Sequence, residues 1–211
     1  MKPCFVIGIA GGSGSGKTSL IQRVHEDIGE DCVTMLSQDD YYHPIHLQHK
    51  DHNGEVNFDL PTAIDQDGLI RDVKNLLNGE PITVSRYLFN NAKGHPEDVQ
   101  LDPRPILLVE GLFIFHYPEL YSLMDLKVFI DAHPEYRLKR RILRDGKERG
   151  YPESVVRYQW ENHVEPAFKD FLLPYQSHCD ILIKNDIEME EGYQDLIHAL
   201  HRTLEHLHSK I

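Results

Sequence analysis

The sequence predicts an α/β protein: a doubly wound, parallel five-stranded sheet with helices on both faces and an inserted β-hairpin. Three observations carry this. Short runs that are apolar at nearly every position alternate with longer stretches of helical periodicity. Strands buried on both faces read that way, and the alternation implies right-handed βαβ crossovers. The first apolar run flows directly into a glycine-rich loop that opens a helical pattern. One stretch, 81–101, breaks the alternation.

The strands are expected at Cys4–Ala10, Val33–Ser37, Ile106–Val109, Leu126–Ile130 and Ile181–Ile183. Pro105 and Gly111 bracket the third of these. Helical patterns run over Lys17–Ile28, Pro61–Leu77, Pro134–Arg149, Pro152–Leu173 and from Glu188 onward. Pro61-Thr62 and Asn78-Gly79 supply a start and a stop for the second, and Pro166 implies a kink or break in the fourth. Leu196, Ile197, Leu200, Leu204 and Leu207 form an apolar stripe on the last. Within 81–101 the runs Ile82–Ser85 and Tyr87–Phe89 read as the two hairpin strands, turned by Asn90-Asn91-Ala92-Lys93-Gly94. With 211 residues the chain suits one domain, 1–211, carrying that insertion.

Composition excludes several classes. The net charge of −12 opposes a broad nucleic-acid surface but leaves room for a local basic pocket. No run approaches the ~20 apolar residues of a membrane span. The apolar opening runs straight into the glycine loop, which favours a buried strand over a secretory leader. Cys4, Cys32 and Cys179 are scattered and odd in number, as expected of reduced thiols in a cytoplasmic protein.

The loop Gly11-Gly12-Ser13-Gly14-Ser15-Gly16-Lys17-Thr18, continued by Ser19, matches the Walker A pattern in full. Glycines let successive N–H groups turn inward onto phosphate oxygens, and the following helix adds its positive dipole end. Lys17 reaches the β- and γ-phosphates and Thr18 ligates Mg²⁺. A nucleoside triphosphate, ATP or GTP, is therefore the expected ligand, on a P-loop NTPase-like fold. The loop alone names no reaction.

Acids at strand tips narrow the choice. Asp39 and Asp40 follow the second strand, where a carboxylate can orient a hydroxyl for in-line attack. Asp39 is the candidate; Asp40 is either a surface neighbour or its alternate. Glu110 ends the apolar run Leu107-Leu108-Val109, like the acid of a Walker B strand, and is a candidate Mg²⁺ ligand with Thr18 and Asp39. Asp59 precedes Pro61-Thr62 and reads equally as a helix cap or a ligand contact. In an acidic chain, Arg137, Lys139, Arg140, Arg141, Arg144, Lys147 and Arg149 crowd into 137–150. A solvated face is the plain reading; a lid that brings cations over the migrating phosphoryl group is the functional one.

Taken together, the P-loop, Leu36-Ser37-Gln38-Asp39-Asp40-Tyr41-Tyr42, Asn57-Phe58-Asp59-Leu60-Pro61, the segment around Tyr87 and Phe89, Val109-Glu110-Gly111, Arg140–Asp145 with Glu148-Arg149-Gly150, and Val164-Glu165-Pro166-Ala167-Phe168 resemble the uridine kinase (uridine–cytidine kinase) family, within the group that includes phosphoribulokinase. The resemblance implies transfer of a γ-phosphoryl group to a nucleoside 5′-hydroxyl, with Asp39 as base and Lys17, Arg141 and Arg144 at the phosphates. It implies Asp59 on the ribose hydroxyls, Tyr42, Tyr87 and Phe89 around the nucleoside, and Arg149 and Gln159 as further contacts there. It also implies a small-molecule partner and a homotetramer.

The chain departs from the family pattern in places. Ala92 stands where a hairpin His is usual, Gly94 where an Arg is usual, and Leu60 where a His often follows the ribose-binding acid. Ile183-Lys184-Asn185-Asp186 replaces Ile-x-Arg-Gly. These leave the acceptor base open, and with it the alternatives of another nucleoside, phosphoribulose or pantothenate. A nucleotide-binding regulator without transfer activity is the rival from outside enzymology. His43, His46, His49 and His52 recur every three residues and read as solvated loop histidines rather than a metal site; His198, His201, His206 and His208 read as surface residues.

Overall fold

The computed structural model describes residues 4–89 and 95–208. Its centre is a five-stranded parallel sheet in the order β2-β5-β1-β6-β7. The strands are β1 (Phe5–Gly11), β2 (Val33–Ser37), β5 (Ile106–Gly111), β6 (Leu126–Asp131) and β7 (Ile181–Lys184). Each expected strand is present, and four of them run a residue or two further at their carboxyl ends, where the functional residues lie. A separate antiparallel pair, β3 (Ile82–Ser85) and β4 (Asp98–Leu101), forms the hairpin.

Why the apolar runs are nearly unbroken is visible in β1 and β5. Val6, Ala10, Leu107 and Val109 enter one core, and Ile7, Ile9, Ile106 and Leu108 enter the other. Alternate side chains thus leave opposite faces, and both faces are covered. The first core is closed by α2 (Gln66–Leu77) and α3 (Pro118–Leu123), the second by α1 (Lys17–Ile28) and α8 (Glu190–His208). In α8, Leu196, Ile197 and Leu200 are buried, while His198, His201 and His206 are exposed. Among the described residues no helix is long and apolar enough to cross a membrane.

Three expectations are corrected. The second hairpin strand is Asp98–Leu101, not Tyr87–Phe89. Pairing Val84 with Val99 and Ile82 with Leu101 completes the hairpin, and frees Tyr87 and Phe89 to pack on Tyr42 and Phe58. Ala92 and the rest of 90–94 lie outside the described residues. The helix expected from Pro61 starts later: Pro61–Ala63 is a single 3₁₀ turn, and α2 begins at Gln66 behind the cap Asp65, whose carboxylate accepts from Gly68 N–H. Pro166 does not end its helix. After α4 (Pro134–Glu148) and α5 (Glu153–Gln159), the helical path continues through a π turn (Trp160–Val164), α6 (Glu165–Ala167), a second π turn (Phe168–Leu172) and α7 (Leu173–Gln176). A widened turn absorbs the hydrogen bond that proline cannot make. The short helix α3 had no expectation at all; Pro118 at its first turn was its only local signal.

Candidate active site

At the carboxyl edge of the sheet lies a cleft of about 310 Å³. The glycine loop forms one end. Gly14 and Gly16 hold φ of +78° and +105°, open to glycine at little cost, and Ser15 N–H donates to Gly12 O (3.0 Å) to close the curl. Lys17 Nζ donates back to Gly11 O at 3.0 Å, and burial lowers its pKa. Thr18 and Ser19, at the first turn of α1, stay exposed on the cleft wall.

Asp39 faces the cleft from the 3₁₀ turn that ends β2. Its N–H donates to Ser37 Oγ (3.2 Å), and Ser37 in turn donates to the Glu110 carboxylate. Glu110 is not on the cleft wall itself, but it shares this link. Burial pushes the pKa of both acids up and Lys17 opposes the shift in each; Asp39 adds to the rise at Glu110, and Asp40 to the rise at both. The ambiguity between Asp39 and Asp40 disappears here. Asp40 is committed to Arg86 Nη1 (2.5 Å) and to Tyr87 N–H (3.2 Å), which anchors the hairpin.

The other end of the cleft is aromatic and acidic. Asp59 is buried, and burial raises its pKa while Arg141 opposes. With Asp65 capping α2, Asp59 caps no helix; its N–H donates to Asn57 Oδ1 (2.9 Å), and its side chain lines the cleft. Tyr42 also lines the cleft; burial, then Asp39 and Asp59, push its pKa well up. It packs at 5.3–5.5 Å centroid distance on Phe58, Tyr87 and Phe89. Phe89 is on the wall and carries the Arg149 guanidinium 4.1 Å above its ring. Tyr87 is behind it, at 4.9 Å, and does not line the cleft.

The basic segment is α4, and its arginines divide the work. Arg141 Nη1 donates to Ser13 Oγ and Nη2 to Gln159 Oε1, both at 3.0 Å. Arg144 and Arg149 also line the cleft. All three gather on Asp145, which is fully buried: Arg144 Nε at 2.8 Å, Arg141 Nε at 3.1 Å and Arg149 Nη1 at 3.6 Å. A solvated face would not bury its acid, so the plain reading of this charge run fails for these positions.

Several participants had no individual assignment. Arg137 is buried against Phe168 and Trp160, bonds Ala132 O and Glu165, and sets one nitrogen beside Gly12. Arg140 holds Gly14 O and the carbonyls of Asn185 and Asp186, and Asn185 Nδ2 donates to Ser15 O. Phe58, Tyr151 and His163 complete the wall. Arg137 was legible only as charge; Arg140, Phe58 and Asn185 fell inside quoted segments without a role of their own, and Tyr151 and His163 carry no local motif. His43, His46, His49 and His52 do not assemble: among the described residues no three His, Cys, Asp or Glu side chains could hold a metal ion.

The model of the phosphoribulokinase/uridine kinase family matches residues 6–189. A uridine kinase from Staphylococcus epidermidis is 38% identical over 184 residues, covering 87% of this chain and 88% of that relative. Uridine-cytidine kinase B from Dictyostelium discoideum is 31% identical over 207 residues, covering 98% and 82%. Among solved structures, phosphoribulokinase from Rhodobacter spheroides superposes with a TM-score of 0.66 at 17% identity, covering 92% of this chain and 75% of that one, a likeness of fold.

Proposed function

This chain belongs to the phosphoribulokinase/uridine kinase family, and on that premise we propose that it moves the γ-phosphoryl group of ATP or GTP to the 5′-hydroxyl of uridine or cytidine, giving UMP or CMP. One observation carries the reading. A single cleft is lined by the phosphate loop with Lys17, by Asp39, and by Asp59 with Phe58 and Phe89. Those are the groups that a triphosphate, an attacking hydroxyl, a ribose and a base would each need.

In this reading Asp39 accepts the proton of the 5′-hydroxyl as it attacks. Its raised pKa suits proton transfer better than that of a solvated carboxylate. Lys17, Arg141 and Arg144 offset charge on the phosphoryl oxygens. Asp59 accepts from the ribose hydroxyls, Tyr42 and Phe89 bound the nucleoside with Tyr87 supporting them, and Arg149 and Gln159 are polar contacts on that side. Thr18, Asp39 and Glu110 would hold Mg²⁺: two acids linked through Ser37, the pKa of both pushed up by burial, beside an exposed hydroxyl fit a divalent cation. When bound, the ion neutralises charge shared by the β- and γ-phosphates. The same reading takes 1–211 as one kinase domain with the hairpin as acceptor wall and α4 as lid, in a cytoplasmic homotetramer that acts on a small molecule.

A panel of acceptors in an ADP-release assay tests the proposal. Turnover of uridine or cytidine is expected. Turnover of phosphoribulose, pantothenate or a purine nucleoside, with neither pyrimidine accepted, would replace it; nucleotide binding with no turnover at all would favour a regulator.

A further inference from the structure

His163 is buried, 3% exposed, on the π turn Trp160–Val164, yet its ring reaches the cleft wall shared by Asp59, Arg141 and Gln159. Its Nε2 lies 2.8 Å from Asp51 Oδ2. Asp51 belongs to the segment that runs directly into Phe58 and Asp59, folded on itself by the Lys50–Val56 bridge. Asp51 is a saturated acceptor. It takes the Tyr158 hydroxyl at 2.6 Å on Oδ2, and the N–H groups of Asn53 (2.9 Å) and Glu55 (3.0 Å) on Oδ1. These donors hold its carboxyl well below the usual range. An ionised carboxylate can only accept, so it takes the Nε2–H of the imidazole and selects the tautomer whose lone pair is on Nδ1.

Asp59 and His163 line the same cleft, with Arg141 and Gln159 beside them. Two acceptors of different kinds, a carboxylate and an imidazole nitrogen, therefore border one end of the cleft. A vicinal diol presents two adjacent O–H donors and is the complement of that pair.

We propose that His163 is a specificity-determining contact to the ribose cis-diol, its Nδ1 accepting from the hydroxyl next to the one Asp59 accepts, with Asp51 fixing the tautomer. This rests on the nucleoside-acceptor reading.

The variants separate the two nitrogens. His163→Gln places an amide nitrogen near Nε2, keeping the donor to Asp51, but has nothing at Nδ1. His163→Asn offers an amide oxygen near Nδ1 and gives up the bond to Asp51. Steady-state kinetics are measured with uridine, 2′-deoxyuridine and 3′-deoxyuridine. For His163→Gln the uridine KM should rise roughly tenfold, the worth of one hydrogen bond. The KM for the deoxynucleoside that lacks the contacted hydroxyl, and the KM for ATP, should stay within about twofold. His163→Asn should recover part of the preference for uridine. Equal loss on all three nucleosides, or no loss on any, overturns the proposal. If His163→Gln does not fold, His163→Asn decides alone: retained ribose preference supports the contact, and loss of it refutes it. Absence of parental turnover with any pyrimidine nucleoside overturns the acceptor reading itself, whereas parental turnover with an unmoved ribose preference in the variants overturns this inference only.

Discussion

Replacing Asp145 by Asn keeps the volume of the side chain and removes one negative charge from beneath three guanidinium groups. Arg144, Arg141 and Arg149 stand 2.8, 3.1 and 3.6 Å from that carboxylate, which has no exposed surface. Breaking a buried ion pair from one side typically costs about 3–5 kcal/mol, because the remaining charge stays buried without compensation. Here part of the burden is screened, since Arg144 is 36% exposed and Arg149 20%. Arg141, at 8%, is the pair that solvent cannot help. A loss at the low end, about 2–3 kcal/mol, is therefore expected. At roughly 2–4 °C per kcal/mol for a chain of this size, the melting temperature should fall by about 4–12 °C. Calorimetry or near-ultraviolet circular dichroism would read it. A second measurement isolates the cause. A bound triphosphate brings its own negative charge to the same arginines, so saturating nucleotide should raise the melting temperature of Asp145→Asn by more than it raises that of the parent. A variant that melts within about 1 °C of the parent, or that gains no more from nucleotide than the parent does, would refute the view that Asp145 gathers these arginines electrostatically.

Three further outcomes follow from the same geometry. Asp39→Asn should lower the single-turnover rate at saturating nucleotide and Mg²⁺ by about 10²–10⁴-fold, and a variant as active as the parent would end its role as base. The same variant should melt above the parent at pH 7, because burial makes the Asp39 carboxylate unfavourable in the folded state. The sign sets the pH profile: a carboxyl whose folded pKa is raised contributes most below its ordinary value of 3.8 and loses that contribution as pH climbs through the raised one, so the gap between variant and parent should close as pH falls towards 3.8. Phe89→Ala should raise the nucleoside KM about tenfold while leaving the ATP KM unmoved, as it removes both the wall and the surface under Arg149.

The comparison between sequence and structure is uneven for reasons visible in single elements. The strands were legible because parallel strands covered on both faces must be apolar at nearly every position. The glycine loop was legible because its conformation admits few other residues. Asp39 and Glu110 were legible because a strand tip tells where its last side chain goes. The hairpin was only half legible. Tyr87-Leu88-Phe89 has a higher β tendency than Asp98–Leu101, yet burying Tyr87 and Phe89 against Tyr42 and Phe58 outweighs it. At Pro166 the sequence offered a kink or a break; the break is absent because the π turns around it let the helical path continue.

By itself, then, the sequence determined the layered α/β architecture, the glycine loop and the acids at the strand tips beside it. Each of these depends on residues close together in the chain or on a repeat with a fixed period. The tertiary structure alone decided that Asp40 serves Arg86 and leaves Asp39 to the cleft, that Asp65 rather than Asp59 caps the helix, that Asp145 gathers three arginines, and that Asp51 pairs with His163. Most of those assignments turn on which of several similar groups wins a given partner. That competition is settled by burial and by contacts such as Asp40 with Arg86 or Asp51 with His163, made between segments far apart in sequence.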